Sequence, residues 1–284
     1  MKDETRKLIE LNLGVLLLSM VALFAKWIQL PATIIILGRV FFAAITLFLI
    51  LKLSKQSFDI KSRKELGYLL VIGVCFGIHM VAFFESAQVS TVAIAMVTLY
   101  TYPLLITFIE PFVSGEKIRR IDLSLALIVF LGVLLIIPNF ETTNDTFKGV
   151  MWGLLAALAF SIATVMNRKY VQSYSGSLIM FYECAISFVI LIPFLFIEHF
   201  VLQPSDLFLV MLLGVVFTAI AYALFVNGMR YIKAQKAALM ATIEPVYSIL
   251  FAAIFLAEIP ALRTVLGAAL ILGVAVFAQL KTKN

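Results

Sequence analysis

Apolar residues in this chain gather into ten long runs separated by short polar stretches. The runs lie roughly at 9–28, 32–52, 66–86, 90–110, 121–138, 148–168, 176–198, 206–228, 234–256 and 261–280. Each approaches the ~20 residues that a helix needs to cross the hydrocarbon core of a bilayer. The pattern predicts an all-α polytopic membrane protein with ten transmembrane helices. The first run follows Lys2, Arg6 and Lys7, as the apolar part of a signal peptide would. No small-x-small cleavage site closes it and nine further spans follow, so it reads as an uncleaved first helix.

The basic residues test this count. With the N-terminus inside, the inner segments hold Lys2, Arg6 and Lys7; Lys52, Lys55, Lys61, Arg63 and Lys64; Lys117, Arg119 and Arg120; Arg168 and Lys169; Arg230, Lys233 and Lys236; and Lys281 and Lys283. Eighteen of the 22 lysines and arginines thus fall on one side, and Lys26, Arg39, Lys148 and Arg263 are the remainder. An excess of this size on one side fits the positive-inside rule with both termini cytoplasmic. A missed span would scramble it.

Composition agrees and removes other classes. Of 284 residues, 63% are hydrophobic and 13% charged, whereas about a quarter are charged in a soluble domain. The net charge of +6 sits in short loops between spans, so topology explains it and nucleic acid is not an expected partner. Two histidines, His79 and His199, cannot build a three-histidine metal site. No metal and no other cofactor is expected. Cys75 and Cys184 lie within apolar runs and read as small packing residues.

Two stretches echo one another. Pro103 to Glu116 and Pro245 to Glu258 each place a proline inside a span and a glutamate 13 residues later, at an offset of 142. Leu131-Gly132-Val133 and Leu272-Gly273-Val274 repeat at an offset of 141. The expected organisation is a five-helix repeat over residues 1–140 and a second over 141–284. Five is odd, so the second unit is inverted relative to the first, an architecture of transporters.

These residues resemble the drug/metabolite transporter superfamily and, within it, the EamA-like ten-helix transporters. The resemblance rests on Lys26 closing helix one, Leu30-Pro31, Arg39 to Ala44 opening helix two, Pro103 to Glu116, and Glu244-Pro245 to Glu258. It covers nearly the whole chain. It implies transport of small metabolites or drugs, often export, through a cavity lined mainly by helices one, three, four, six, eight and nine. Helix seven is then peripheral. The chain departs from the family in Leu18 to Lys26, where Ser19 is the one polar residue before the lysine.

Ionisable groups at membrane depth usually face a cavity or a partner. Glu244 stands near the midplane of helix nine, just before Pro245, which frees a backbone carbonyl. That makes an acceptor-rich spot for an amine or a proton, or alternatively a structural acid. Tyr102 is its mate in the other repeat. Tyr100, His79, Tyr222 and Ser19 complete the candidate substrate-binding set. Lys26, Arg39 and Glu85 are candidates for gating or charge pairing. Arg39 would bind a carboxylate or pair with Glu85, and Lys26 would snorkel or gate. Pro103 and Pro245 are candidate hinges. Glu183, on the expected peripheral helix, reads as a partner for Arg168 or Lys169. Gly73-x-x-x-Gly77 and Gly149-x-x-x-Gly153 permit close helix contact.

No nucleotide-binding loop and no nucleophile elbow occurs in the sequence. The expected function is therefore secondary transport of amino acids or related amphipathic metabolites by alternating access, in the export direction. Protons are the candidate coupling ion, and the protein would act as monomer or homodimer in a bacterial cytoplasmic membrane. A multidrug or lipophilic-cation exporter is the alternative. A channel and a membrane enzyme are weaker ones.

Overall fold

The computed structural model describes residues 2–114, 120–137, 144–170, 174–229 and 243–281. Within them the chain forms helices and loops, and no β-strand. Several expectations lie outside the described residues: Glu116, the basic loops around 117–119 and 230–236, the side chains of Arg168 and Lys169, and the first half of span nine.

The first span is two helices, α1 (Lys2–Ser19) and α2 (Val21–Trp27), and α3 (Ala32–Leu53) and α4 (Arg63–Val89) are the next two. The fourth span is again broken, into α5 (Val92–Leu99) and α6 (Tyr102–Ser114), and α7 (Arg120–Ile136) follows. Then come α8 (Asp145–Tyr170), α9 (Gly176–Leu191), the short α10 (Phe194–Ile197) and α11 (Pro204–Gly214). A π-helical segment, Val215–Ile220, joins α11 to α12 (Ala221–Met229), and α13 (Glu244–Leu256) and α14 (Leu262–Lys281) end the order.

Seven of the described helical stretches are long and apolar enough to cross a membrane. Three shorter apolar helices, Leu123–Ile136, Glu244–Leu256 and Leu262–Phe277, fall within the expected spans five, nine and ten. The 27 residues of α4 make a rod of about 40 Å at 1.5 Å per residue. Loop residues stop and start the helices. The hydroxyls of Ser62, Thr91 and Ser175 accept from the backbone N–H groups of Glu65, Ile94 and Leu178, at 3.2, 3.2 and 3.3 Å. Each satisfies a donor that the first helical turn leaves orphaned. Pro204 opens α11 where its missing N–H costs nothing.

Packing follows small residues. α4 lies against α8 and α9, α1 against α12, α3 against α9 and α11, and α7 against α14. A Cβ on Gly153 would collide with the Thr98 side chain, and one on Gly149 with Ser90. Both glycines therefore let α8 approach the α4–α5 corner, and the Ser86 hydroxyl donates across it to the Gly149 carbonyl at 2.6 Å. Gly73 and Gly77 do the same for α9 through Ile186 and Ser187. That contact corrects the expectation of a peripheral seventh span: α9 sits between α3 and α4. Large apolar side chains such as Leu49, Phe208 and Ile254 point outward and are more than half exposed, at 51%, 57% and 71%. A surface this apolar faces lipid, and the chain is a multi-pass integral membrane protein.

Candidate functional site

The broken helices meet around one interior cavity of about 370 Å³. In span one the Ser19 hydroxyl donates to the Leu16 carbonyl at 2.7 Å, and the Met20 N–H bonds Leu17 rather than a residue four back. Serine bonding back onto its own helix bends it. The bend turns Leu18 and Val21 toward the cavity. Ser19 itself is fully buried and outside the lining. Its hydroxyl is spent in the kink and its carbonyl accepts from the Ser248 hydroxyl at 2.6 Å. Ser19 therefore stands behind the wall, whereas the rest of the expected binding set, Glu244, Tyr102, Tyr100, His79 and Tyr222, lines the cavity.

Pro103 brings no N–H to the ladder, so α5 ends before it and α6 starts afresh. The junction is held by Thr101, whose hydroxyl donates to the Thr98 carbonyl at 2.8 Å. It turns both Tyr100 and Tyr102 into the cavity, with ring centroids 5.7 Å apart. Pro245 stands in the first turn of α13 in the same way. It sets Glu244 at that helix's N-terminus, where unpaired N–H groups favour a carboxylate. The Tyr100 hydroxyl donates to Glu244 Oε2 at 3.0 Å, joining spans four and nine. Neither proline lines the cavity; both begin half-helices.

Arg39 is 5% exposed, two turns into α3, and lines the same cavity. It makes no ion pair with Glu85. Its Nε donates to Thr218 Oγ1 at 2.8 Å, and its guanidinium lies 5.6 Å from the centre of the Phe84 ring. The π segment prepares this contact, because the Thr218 hydroxyl donates to the Leu213 carbonyl five residues back at 2.8 Å. A Cβ on Gly214 would stand 2.6 Å from the Arg39 carbonyl, so only glycine lets α11 come this near to α3. Glu85 is half-buried and outside the cavity.

His79 faces Phe160, with ring centroids 4.7 Å apart, and its Nδ1 lies 3.2 Å from the Ala156 carbonyl. A carbonyl only accepts, so Nδ1 carries a proton, and Nε2 is an acceptor whenever the ring is neutral. Phe76, Phe83, Phe160, Tyr222 and Phe225 add five more rings to the wall.

Sequence reasoning missed the other polar corner. Glu183 on α9 is 4% exposed and lines the cavity, and so does Asn167 on α8. The Asn167 amide donates to Glu183 Oε1 at 2.7 Å. The signal was present in Gly73 and Gly77, which mark α4 as closely covered. Their partner was not readable.

At the end of the bundle away from the N-terminus, Lys26 lies 3.6 Å from Glu258 Oε1 and donates to the carbonyls of Ser90 at 2.7 Å and Gln88 at 3.3 Å. Glu258 Oε2 accepts from the Val92 N–H at 2.9 Å. Spans one, four and nine are tied together there.

A bundle of apolar helices around one buried, largely aromatic cavity with a few polar groups in its wall is the architecture of a polytopic membrane protein. The profile of the EamA-like transporter family matches residues 8–137 and again 147–279. The chain belongs to the EamA-like transporter family. It is 24% identical over 275 residues to the uncharacterized transporter YxxF of Bacillus subtilis, covering 95% of this chain and 88% of that one. It is 29% identical over 258 residues to the pseudopaline exporter CntI of Pseudomonas aeruginosa, covering 90% and 88%. A crystal structure of a protein 20% identical in sequence superposes with a TM-score of 0.66 over 97% of both chains, which is a likeness of fold.

Proposed function

We propose that this transporter is a secondary carrier of amino acids or related amphipathic metabolites, working by alternating access and moving them outward. The observation that carries this reading is the joint presence of Arg39 and Glu244 in one buried, aromatic cavity. A guanidinium binds a carboxylate and a glutamate binds an ammonium. Aromatic walls accept an apolar side chain. The likeness to a protein named as an exporter supports the direction.

Two inverted five-helix units, 1–140 and 141–284, would supply the motion. Two observations support them. The family profile matches once in each half. The helix pairings also mirror each other: span three on six answers span one on eight, and span three on seven answers span two on eight. With ten crossings both termini lie in the cytoplasm, as the basic residues favour. The bacterial cytoplasmic membrane is the proposed location and protons at Glu244 the proposed coupling ion. A lipophilic cation is the second reading, favoured by the aromatic rings beside carboxylates.

The test is counterflow in liposomes. The purified protein should exchange labelled amino acids saturably, and Glu244→Gln should impair exchange at least tenfold. Equal exchange by native protein and the variant removes Glu244 from the site. Exchange of lipophilic cations alone replaces the first reading with the second.

A further inference from the structure

The Glu183–Asn167 corner has no part in the binding of an amino acid's α-amino and carboxylate groups by Glu244 and Arg39. Among the described residues that line the cavity, one guanidinium faces two carboxylates, those of Glu244 and Glu183. Glu183 has no cationic partner there; its partner is the neutral amide of Asn167. The amide gives one of its two N–H donors to that carboxylate, and its own oxygen, Asn167 Oδ1, is buried without a hydrogen-bond partner. A buried oxygen left unpaired is costly, and so is a buried carboxylate with no counter-charge. Both shortages are of the same kind. The corner offers acceptors and lacks a cationic donor, and it lies inside a space large enough for a solute.

We infer that Glu183 and Asn167 form a second cation subsite, which holds the distal ammonium of a substrate that also carries an α-amino acid end. The substrate class is thus a diamino monocarboxylate, with its carboxylate on Arg39 and its α-amine on Glu244. The inference rests on the carrier reading and deepens it. It also accounts for the charges: two ammonium groups and one carboxylate complement two carboxylates and one guanidinium. A space of about 370 Å³ holds roughly a dozen water-sized groups, enough for a chain of this length. An ammonium has three donors; here it would meet Glu183 and the Asn167 oxygen, both in the cavity wall.

The experiment uses the full chain in liposomes and two probes of similar length, L-lysine and L-norleucine, which differ in the terminal ammonium. The native protein should exchange lysine with a half-saturation concentration at least tenfold below that for norleucine. Glu183→Gln and, independently, Asn167→Leu should raise the value for lysine about tenfold or more and leave that for norleucine within twofold. Norleucine exchange reports that each variant is folded. Equal half-saturation for the two probes in the native protein overturns the subsite while leaving the carrier reading intact. Retention of the native preference by both variants overturns the subsite in the same way. No saturable exchange of either probe by folded native protein overturns the carrier reading and the subsite with it.

Discussion

On the alternating-access reading proposed above, the Lys26–Glu258 cluster is the closure of one end of the cavity, and its removal should open that end. Both side chains are mostly buried, with 24% and 20% exposure. Glu258→Ala removes a charged acceptor from the Val92 N–H and the counter-charge of Lys26. A hydrogen bond to a charged group contributes about 1.5–3 kcal/mol, and an ion pair that water still reaches about 0.2–1 kcal/mol. Lys26 keeps its two carbonyls, so the net loss is about 2–3 kcal/mol. At 1.4 kcal/mol per factor of ten this shifts the closed-to-open ratio roughly 30- to 140-fold. A form open at that end and populated to about 1% would rise to roughly 20–60%. The assay is the distance between spin labels at Gln29→Cys and Ile259→Cys, both exposed sites at that end. Cys75 and Cys184, the two free cysteines, are replaced by alanine. The native protein should give one short distance, and Glu258→Ala a second, longer one. Glu258→Gln keeps an acceptor for Val92 and should shift the ratio less than Glu258→Ala. A Glu258→Ala protein that melts like the native one and keeps the single short distance refutes the assignment of this cluster as a closure.

Tyr100→Phe removes the donor to Glu244 and should weaken amino-acid exchange about tenfold, as expected for a hydrogen bond worth about 1.5–3 kcal/mol; counterflow measures it, and an unchanged half-saturation excludes the contact from binding. Thr218→Val leaves the Arg39 guanidinium without its side-chain acceptor and should reduce exchange of carboxylate-bearing probes more than that of their amides. Gly153→Ala should lower the melting temperature through overpacking of about 1–3 kcal/mol, and Thr98→Ala in the same chain should recover part of it, since it removes the nearer hydroxyl while the Cβ at 98 still stands 2.8 Å from the added methyl. A double variant no more stable than Gly153→Ala shows that the crowding lies elsewhere. Ser19→Ala should leave half-saturation unchanged, because that hydroxyl is bonded within its own helix.

The sequence exposed those features that a single residue carries alone. Glu244 and Arg39 stand out because each is ionisable within an apolar run, and both do line the cavity. Pro103 and Pro245 mark helix starts because a missing N–H acts on its own chain. Direction was harder to read. In a soluble helix the polar face points to water, but in lipid the outside is as apolar as the core, so a span's pattern says little about which face is inside. That is why the pattern leaves Glu183 on a peripheral helix and offers Glu85 as one partner for Arg39 beside a substrate carboxylate. Glu85 has a suitable depth and the wrong azimuth, and Thr218 occupies the right one through a π turn that no residue pattern announces. Ser19 misled for a related reason, since a lone hydroxyl in an apolar run can satisfy itself one turn back.

The cross-chain polar contacts share a feature that bears on mechanism. Arg39 to Thr218, Tyr100 to Glu244, Ser248 to Ser19, Ser86 to Gly149, Ser161 to Tyr102 and Lys26 to Glu258 each join the first half of the sequence to the second. The rocking of one half against the other proposed above would therefore have to exchange these partners. In the bilayer interior water is absent, and an unpaired polar group there costs several kcal/mol. The contacts differ in what can replace them. Lys26 and Glu258 lie at the end of the bundle and partly exposed, so water takes over as they separate. Tyr100, Glu244, Arg39 and Thr218 line the cavity, where a solute with a matching ammonium and carboxylate can supply the lost bonds. On the proposed carrier mechanism a substrate bearing both groups would take over these bonds as the partners separate, and that exchange at Arg39 and Glu244 would tie the conformational step to the presence of substrate.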